Sequence, residues 1–207
     1  VVYRTPTDPL TSIDVYDGVS IQGRGEETRQ NLRGFIQAAS SPQAKLTHII
    51  GSGAKNSNDR LFFGNTLLAS NAIGLGSNPS SDRGWSTVTY DVSTLMSSKT
   101  NSPLYGEQVV TRVDHTSTTP YDCLSWAAII FSTTVQDTDH DGIPDKLESS
   151  TSPLLDPGGK LLPDFHAMGA DPGIKDVFLE VGFMTSEGYT DPQGAVSAHS
   201  HRPTPQV

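Results

Sequence analysis

The sequence predicts an all-β protein: a β-sandwich or jelly-roll-like domain over residues 1–135, an acidic loop over 136–150, and an extended C-terminal segment over 151–207 with one further strand. Three observations lead there. Short apolar or alternating runs recur between clusters of turn-forming residues, which is how successive strands and their connections read. The chain holds 24 Ser and 21 Thr, residues suited to solvent-facing strand positions and loops. Helix-period patterns are scarce before the acidic loop.

Eight strands are expected in order: Val1 to Arg4, Ser12 to Tyr16, Thr28 to Ile36, Lys45 to Ile50, Leu61 to Leu68, Thr87 to Val92, Gln108 to Asp114 and Cys123 to Thr133. The breaks between them include Gly51-Ser52-Gly53, Gly74 to Arg83 and Ser97 to Pro103, all rich in turn formers. The last strand carries Trp126-Ala127-Ala128-Ile129-Ile130-Phe131, and a near-continuous apolar run of that kind reads as a central strand covered on both faces. Trp126 is expected in the core, because burying so large a ring contributes strongly to stability. Trp85, beside Arg83 and Gly84, is freer to make a surface contact. Cys123 reads as a buried small hydrophobe. Its neighbours Asp122, Leu124 and Ser125 supply no general base that would make it a nucleophile.

At 207 residues the chain is long enough for one well-buried core and a smaller appendage. The balance of 14 Lys and Arg against 23 Asp and Glu gives a net charge of -9, which repels nucleic acid and anionic membrane surfaces. No apolar run approaches the ~20 residues that a membrane-spanning helix needs. A start at Val1 without methionine or leader is expected of a processed mature form or a fragment. A single cysteine excludes an internal disulfide, so stability outside the cell must come from packing, metal or assembly. The Ser and Thr load could accept O-linked sugar. The nearest N-linked acceptor, Asn78-Pro79-Ser80, is spoiled by its proline.

The segment from Asp137 to Glu148 reads Asp-Thr-Asp-His-Asp-Gly-Ile-Pro-Asp-Lys-Leu-Glu and satisfies the twelve-residue pattern D-x-D-x-D-G-x5-E of a calcium loop. Alternation turns the Asp137, Asp139 and Asp141 carboxylates toward one point. Gly142 permits the sharp turn that brings the Ile143 carbonyl inward. Asp145 is expected to bind directly or through water, and Glu148 to close the shell with two oxygens. Carboxylates this close repel one another, and a hard dication with six to eight oxygen ligands offsets that repulsion. Ca2+ fits better than Mg2+, which prefers a smaller octahedral shell and keeps its waters. A strand rather than an amphipathic helix precedes the loop, so a structural role is expected and not a sensor that opens a groove. Pro144 suits the first turn of a short helix through Leu147.

Beyond the loop, Thr151 to Gly173 is rich in Pro, Gly and Asp and reads as an extended connector. Asp176 to Met184 places Val177, Leu179, Val181 and Phe183 on one face and Phe178 and Met184 on the other, the pattern of a strand buried on both sides. A polar, proline-bearing tail comes after it, from Thr185. The chain from Thr151 onward is too short and too polar to enclose that strand as a core of its own, so the sandwich, a neighbouring subunit or further chain must cover it.

The loop resembles those of thrombospondin type 3 repeats and dockerins more than that of calmodulin. The run DCLSWAAIIFSTTVQDTDHDGIPD (residues 122–145), followed by GADPGIKDVFLEVGFM (169–184) and HSHRPTP (199–205), resembles large secreted bacterial proteins. In these a β-rich N-terminal region precedes a metzincin-like metallopeptidase. The resemblance implies an extracellular or cell-surface location and makes 176–184 the first strand of a peptidase region. Gly182 departs from it, standing where a polar residue is expected. The zinc motif H-E-x-x-H is missing from this chain, so no catalytic residue carries over. His199 and His201 lack a third ligand and a rigid scaffold for zinc, and His166 lies in the connector.

Three functions are therefore expected in order. The first is a non-catalytic, calcium-stabilised structural subunit that self-assembles into a homo-oligomer, filament or bacterial surface layer through strand or tail exchange, with Val1 to Arg4 as a free β-prone end. The second is the accessory N-terminal region of a secreted metallopeptidase. The third is an adhesive or glycan-binding sandwich that uses surface aromatics such as Trp85.

Overall fold

The computed structural model describes residues 8–23, 25–36, 39–52, 58–70, 84–97, 108–115 and 123–202. The expected strand at Val1 to Arg4 lies outside them. The chain divides into two units, residues 1–175 and 176–207.

The first unit is an all-β sandwich. One antiparallel sheet runs in the order β1 (Thr11–Gln22), β8 (Leu124–Thr134), β3 (Ala44–Gly51), β6 (Trp85–Asp91). The other runs β2 (Thr28–Arg33), β7 (Gln108–His115), β4 (Asp59–Phe63), β5 (Thr66–Ser70). Alternation decides which side chains face inward. Ala44, Leu46, His48 and Ile50 of β3 are buried, and Lys45 between the first two is exposed. Leu32, Leu61, Phe63 and Val113 from one sheet meet Leu46, Ile50, Leu124, Trp126 and Phe131 from the other in one core. Phe131 packs edge-on against Phe35 at 5.0 Å between ring centroids and meets Phe63 at 5.8 Å with the rings tilted by 30°. Each such side chain, fully buried, contributes about 1.5–3 kcal/mol through the apolar surface it removes from water.

A polar chain crosses this core. Trp126 Nε1 donates to His48 Nδ1 at 3.0 Å, and indole can only donate, so His48 Nδ1 carries no hydrogen. The neutral ring therefore holds its hydrogen on Nε2, which lies 3.0 Å from Thr111 Oγ1. Thr111 passes its own hydroxyl hydrogen to the Phe62 carbonyl at 3.1 Å. The chain joins β8 and β3 of one sheet to β7 and β4 of the other, and every member is satisfied. Burial depresses the His48 pKa to about 4, which keeps the ring neutral.

Four sequence expectations are corrected. Leu61 to Leu68 is a hairpin and not one strand, because Gly64 takes φ +57 and reverses the chain between β4 and β5. β8 is central, yet only its inward face is buried. Its outer residues Ser125, Ala127, Ala128 and Ile130 are half-buried, being small or bordering an open sheet face. Cys123 sits just before β8 and is exposed. The fourth correction is in the second unit, where 176–184 forms no strand. Leu179 is 85% exposed; an apolar alternation becomes a strand only where a neighbouring edge accepts its hydrogen bonds. Two short ladders form after it: β9 (Thr185–Ser186) pairs β12 (His199–Ser200), and β10 (Tyr189–Asp191) pairs β11 (Gly194–Val196).

Residues 151–175 are tied down, not free. Leu154 and Leu162 close a small hairpin through Leu162 N–H to Leu154 O at 2.9 Å, with Leu155 bridging Leu161. Pro157 then seats on Gly34 at the end of β2. Gly34 has φ +93, and a Cβ there would lie 2.5 Å from the proline ring. Arg33 Nε donates to the Pro157 carbonyl at 3.1 Å beside it. Among the described residues, no helix is long and apolar enough to cross a membrane.

Candidate metal centre

The acidic loop leaves the sandwich directly from its central strand. Val135 N–H still bonds the Leu10 carbonyl at 2.9 Å, so the loop starts from a fixed point. His140 (φ 63) and Gly142 (φ 102) take left-handed conformations, which curl the backbone between the alternating aspartates. Each turn is held by the aspartate before it. Asp141 N–H donates to Asp139 Oδ1 at 3.1 Å, and Ile143 N–H donates to Asp141 Oδ1 at 2.7 Å. Pro144, extended at φ -64 and ψ 138, is the residue before the short helix Asp145–Ser149, one position outside the helical turn expected for it.

This folding brings Asp137, Asp139 and Asp141 together, each offering an oxygen within 4.8 Å of the others. Asp141 also presents an oxygen within 4.8 Å of one on Glu148. Oxygens at ~2.4 Å around a single calcium ion can be at most about twice that distance apart, so the spacing suits such an ion. Asp137 is only 7% exposed and Glu148 is fully buried, and burying carboxylates is costly unless something compensates their charge. Asp139 Oδ2 is buried and accepts no hydrogen bond from any described residue. The donor set is all oxygen, which selects a hard cation.

One expected ligand, Asp145, is engaged elsewhere. Asp145 lies outside the cluster among the described residues, and its two oxygens accept from Thr138 N–H at 2.7 Å and Thr138 Oγ1 at 2.6 Å. Together with Asp145 N–H to the Gln136 carbonyl at 3.0 Å, these bonds close the neck of the loop. The Ile143 amide is committed to Asp141, while its carbonyl is the group that the loop pattern assigns to an ion. Two tethers were invisible in the sequence. His166 Nδ1 meets the Glu148 carbonyl at 2.9 Å, and Lys175 Nζ donates to the His140 carbonyl at 3.0 Å. His166 comes from the connector and Lys175 from just beyond it, at separations of 18 and 35 residues, and neither belongs to the twelve-residue motif.

Fold and loop together define a two-sheet β-sandwich whose inner strand β8 runs straight into an acidic loop that clusters three aspartates. No family model, curated protein or solved structure matches this chain.

Proposed function

We propose that the chain is a non-catalytic, calcium-braced structural subunit of an extracellular assembly. The observation that carries the metal is Asp139 Oδ2, buried with no donor among the described residues beside the Asp137 and Asp141 carboxylates. Asp137, Asp139, Asp141 and Glu148 would hold the ion, with the Ile143 carbonyl and a water ordered near Asp145 completing the shell. The bound ion supplies charge compensation, and the residues around it fix where the connector leaves the sandwich. Sites of this type in extracellular modules bind with dissociation constants on the order of 0.1 to 1 mM.

Self-association is supported by β1. Among the described residues it is an edge strand, and it turns Ile13, Val15, Val19 and Ile21 to solvent, with Val19 87% exposed. A long edge with an apolar outer row invites another strand. The test is sedimentation of the purified chain in millimolar calcium and again with chelator, with limited proteolysis of both samples. The expected result is association in calcium, with chelation exposing 137–148 to cleavage. A strict monomer in both conditions, with unchanged cleavage, contradicts the proposal.

The exposed alternating residues Val177, Leu179 and Val181 favour one second reading, the accessory region of a secreted metzincin-like metallopeptidase. A longer gene product carrying H-E-x-x-H downstream would support it, and its absence would remove it.

A further inference from the structure

Trp85 opens β6, at the edge of its sheet among the described residues, and is 59% exposed. It stands directly opposite Gly51 of β3, and Gly51 in turn stands opposite Ser125 of β8. A Cβ added at Gly51 would lie 3.3 Å from each of Cδ2, Cε2 and Cε3 of the indole. Equal approach to three contiguous ring atoms means that one face of the ring lies over the glycine backbone, while the side chain as a whole stays largely exposed. A side chain at position 51 would press the ring outward by a few tenths of an ångström.

The surroundings fix the chemistry. Strand alternation puts Thr87 and Thr89 on the same face as Trp85, both exposed. Thr89 Oγ1 lies 2.9 Å from Thr47 Oγ1, and each hydroxyl retains acceptor capacity. The charged pair on this face, Lys45 opposite Asp91, lies at the far end of β6. A flat π face, negative at its centre, beside a row of uncharged hydroxyls suits a ligand with one C–H-rich face and a rim of hydroxyls. An aromatic hot spot for a protein partner sits at the centre of a desolvated patch; Trp85 instead sits at a strand end among hydroxyls.

We propose that Trp85 is the stacking platform of a binding site for an uncharged oligosaccharide, with Thr87 and Ser125 as flanking hydrogen-bonding groups. This site does not depend on the metal. The chain has two tryptophans, and Trp126 is buried with its indole N–H on His48, so a ligand-induced change in emission reports Trp85.

The experiment titrates the full chain with cellohexaose, xylohexaose, chitohexaose, mannohexaose and maltohexaose at millimolar concentration, followed by fluorescence and by calorimetry. At least one should give a saturable emission change with matching heat. Binding should be lost in Trp85→Ala and weakened several-fold in Thr87→Ala. Gly51→Ala keeps the indole but displaces it slightly from the sheet, and should weaken binding less than Trp85→Ala does. Absence of any response to all five saccharides overturns the proposal, as does binding retained in a folded Trp85→Ala variant. Loss of self-association in Trp85→Ala without saccharide binding overturns it in favour of a second copy as occupant.

Discussion

Trp126 and His48 are joined by a 3.0 Å hydrogen bond inside the sandwich, and that one bond fixes the tautomer of the histidine and the direction of the chain running on to Thr111 and Phe62. Replacing Trp126 with Phe should leave His48 Nδ1 buried without a donor, at about 1–3 kcal/mol, in addition to any effect of lost ring volume. His48→Gln can accept from Trp126 and donate to Thr111, and should cost less. Urea unfolding at neutral pH checks the order of the two variants; equal losses would deny the polar chain its role.

The same histidine makes stability depend on pH. Its folded pKa, about 4, lies below the ordinary value of 6.5, so the unfolded chain takes up the proton first as pH falls. The contribution is fully present above pH 6.5 and is lost as pH drops toward 4, on the order of 3 kcal/mol. His48→Gln should flatten that part of the profile. An unaltered slope would show that the acid sensitivity lies elsewhere.

Asp14 acts in the opposite sense. It points inward from β1 with Oδ2 buried and unpartnered among the described residues, and burial raises its pKa to about 6. Here the folded state holds the proton more tightly than the unfolded one, so stability falls as pH rises from 3.8 to 6. Asp14→Asn should therefore stabilise the protein at pH 7, by about 1 kcal/mol after allowance for solvent screening. The gain should vanish below pH 3.8. Denaturation midpoints of the two proteins at pH 7 and pH 3.5 decide it; a gain equal at both pH values would not come from ionisation.

Much of this fold is legible in the sequence, because alternation reports which strand face is buried; Leu46, His48 and Ile50 are a clear case. The parts that are not legible depend on contacts between distant residues. Leu61 to Leu68 is the exception, because Gly64-Asn65 between Phe63 and Thr66 is a local two-residue hairpin signal that the apolar runs on either side obscure. Asp176 to Met184 reads as a strand because the pattern records what a segment can do when an edge is available. Cys123 reads as buried because a free cysteine behaves as a small hydrophobe, yet it stands one position before the first residue of β8. At the loop, the positions of Asp137, Asp139, Asp141 and Glu148 were written in the motif. The turning of Asp145 to Thr138, and the tethers from His166 and Lys175, were not, since each depends on where the connector passes.

Gly34 tests how the connector is held. A methyl group there would meet Pro157 at 2.5 Å from a backbone already at φ +93, so Gly34→Ala should destabilise the first unit by about 1–3 kcal/mol. It should also speed tryptic cleavage at Lys160. Unchanged stability and cleavage would mean that the seat on Gly34 is not binding the connector.

The central claim is that the acidic loop holds one divalent ion. Calcium titration by calorimetry of chelator-treated protein, beside the Asp139→Asn variant, measures it directly. The expected result is one site per chain with an affinity on the order of 0.1 to 1 mM, weakened at least tenfold by the substitution. No heat of binding in the unsubstituted chain at millimolar calcium would contradict the claim.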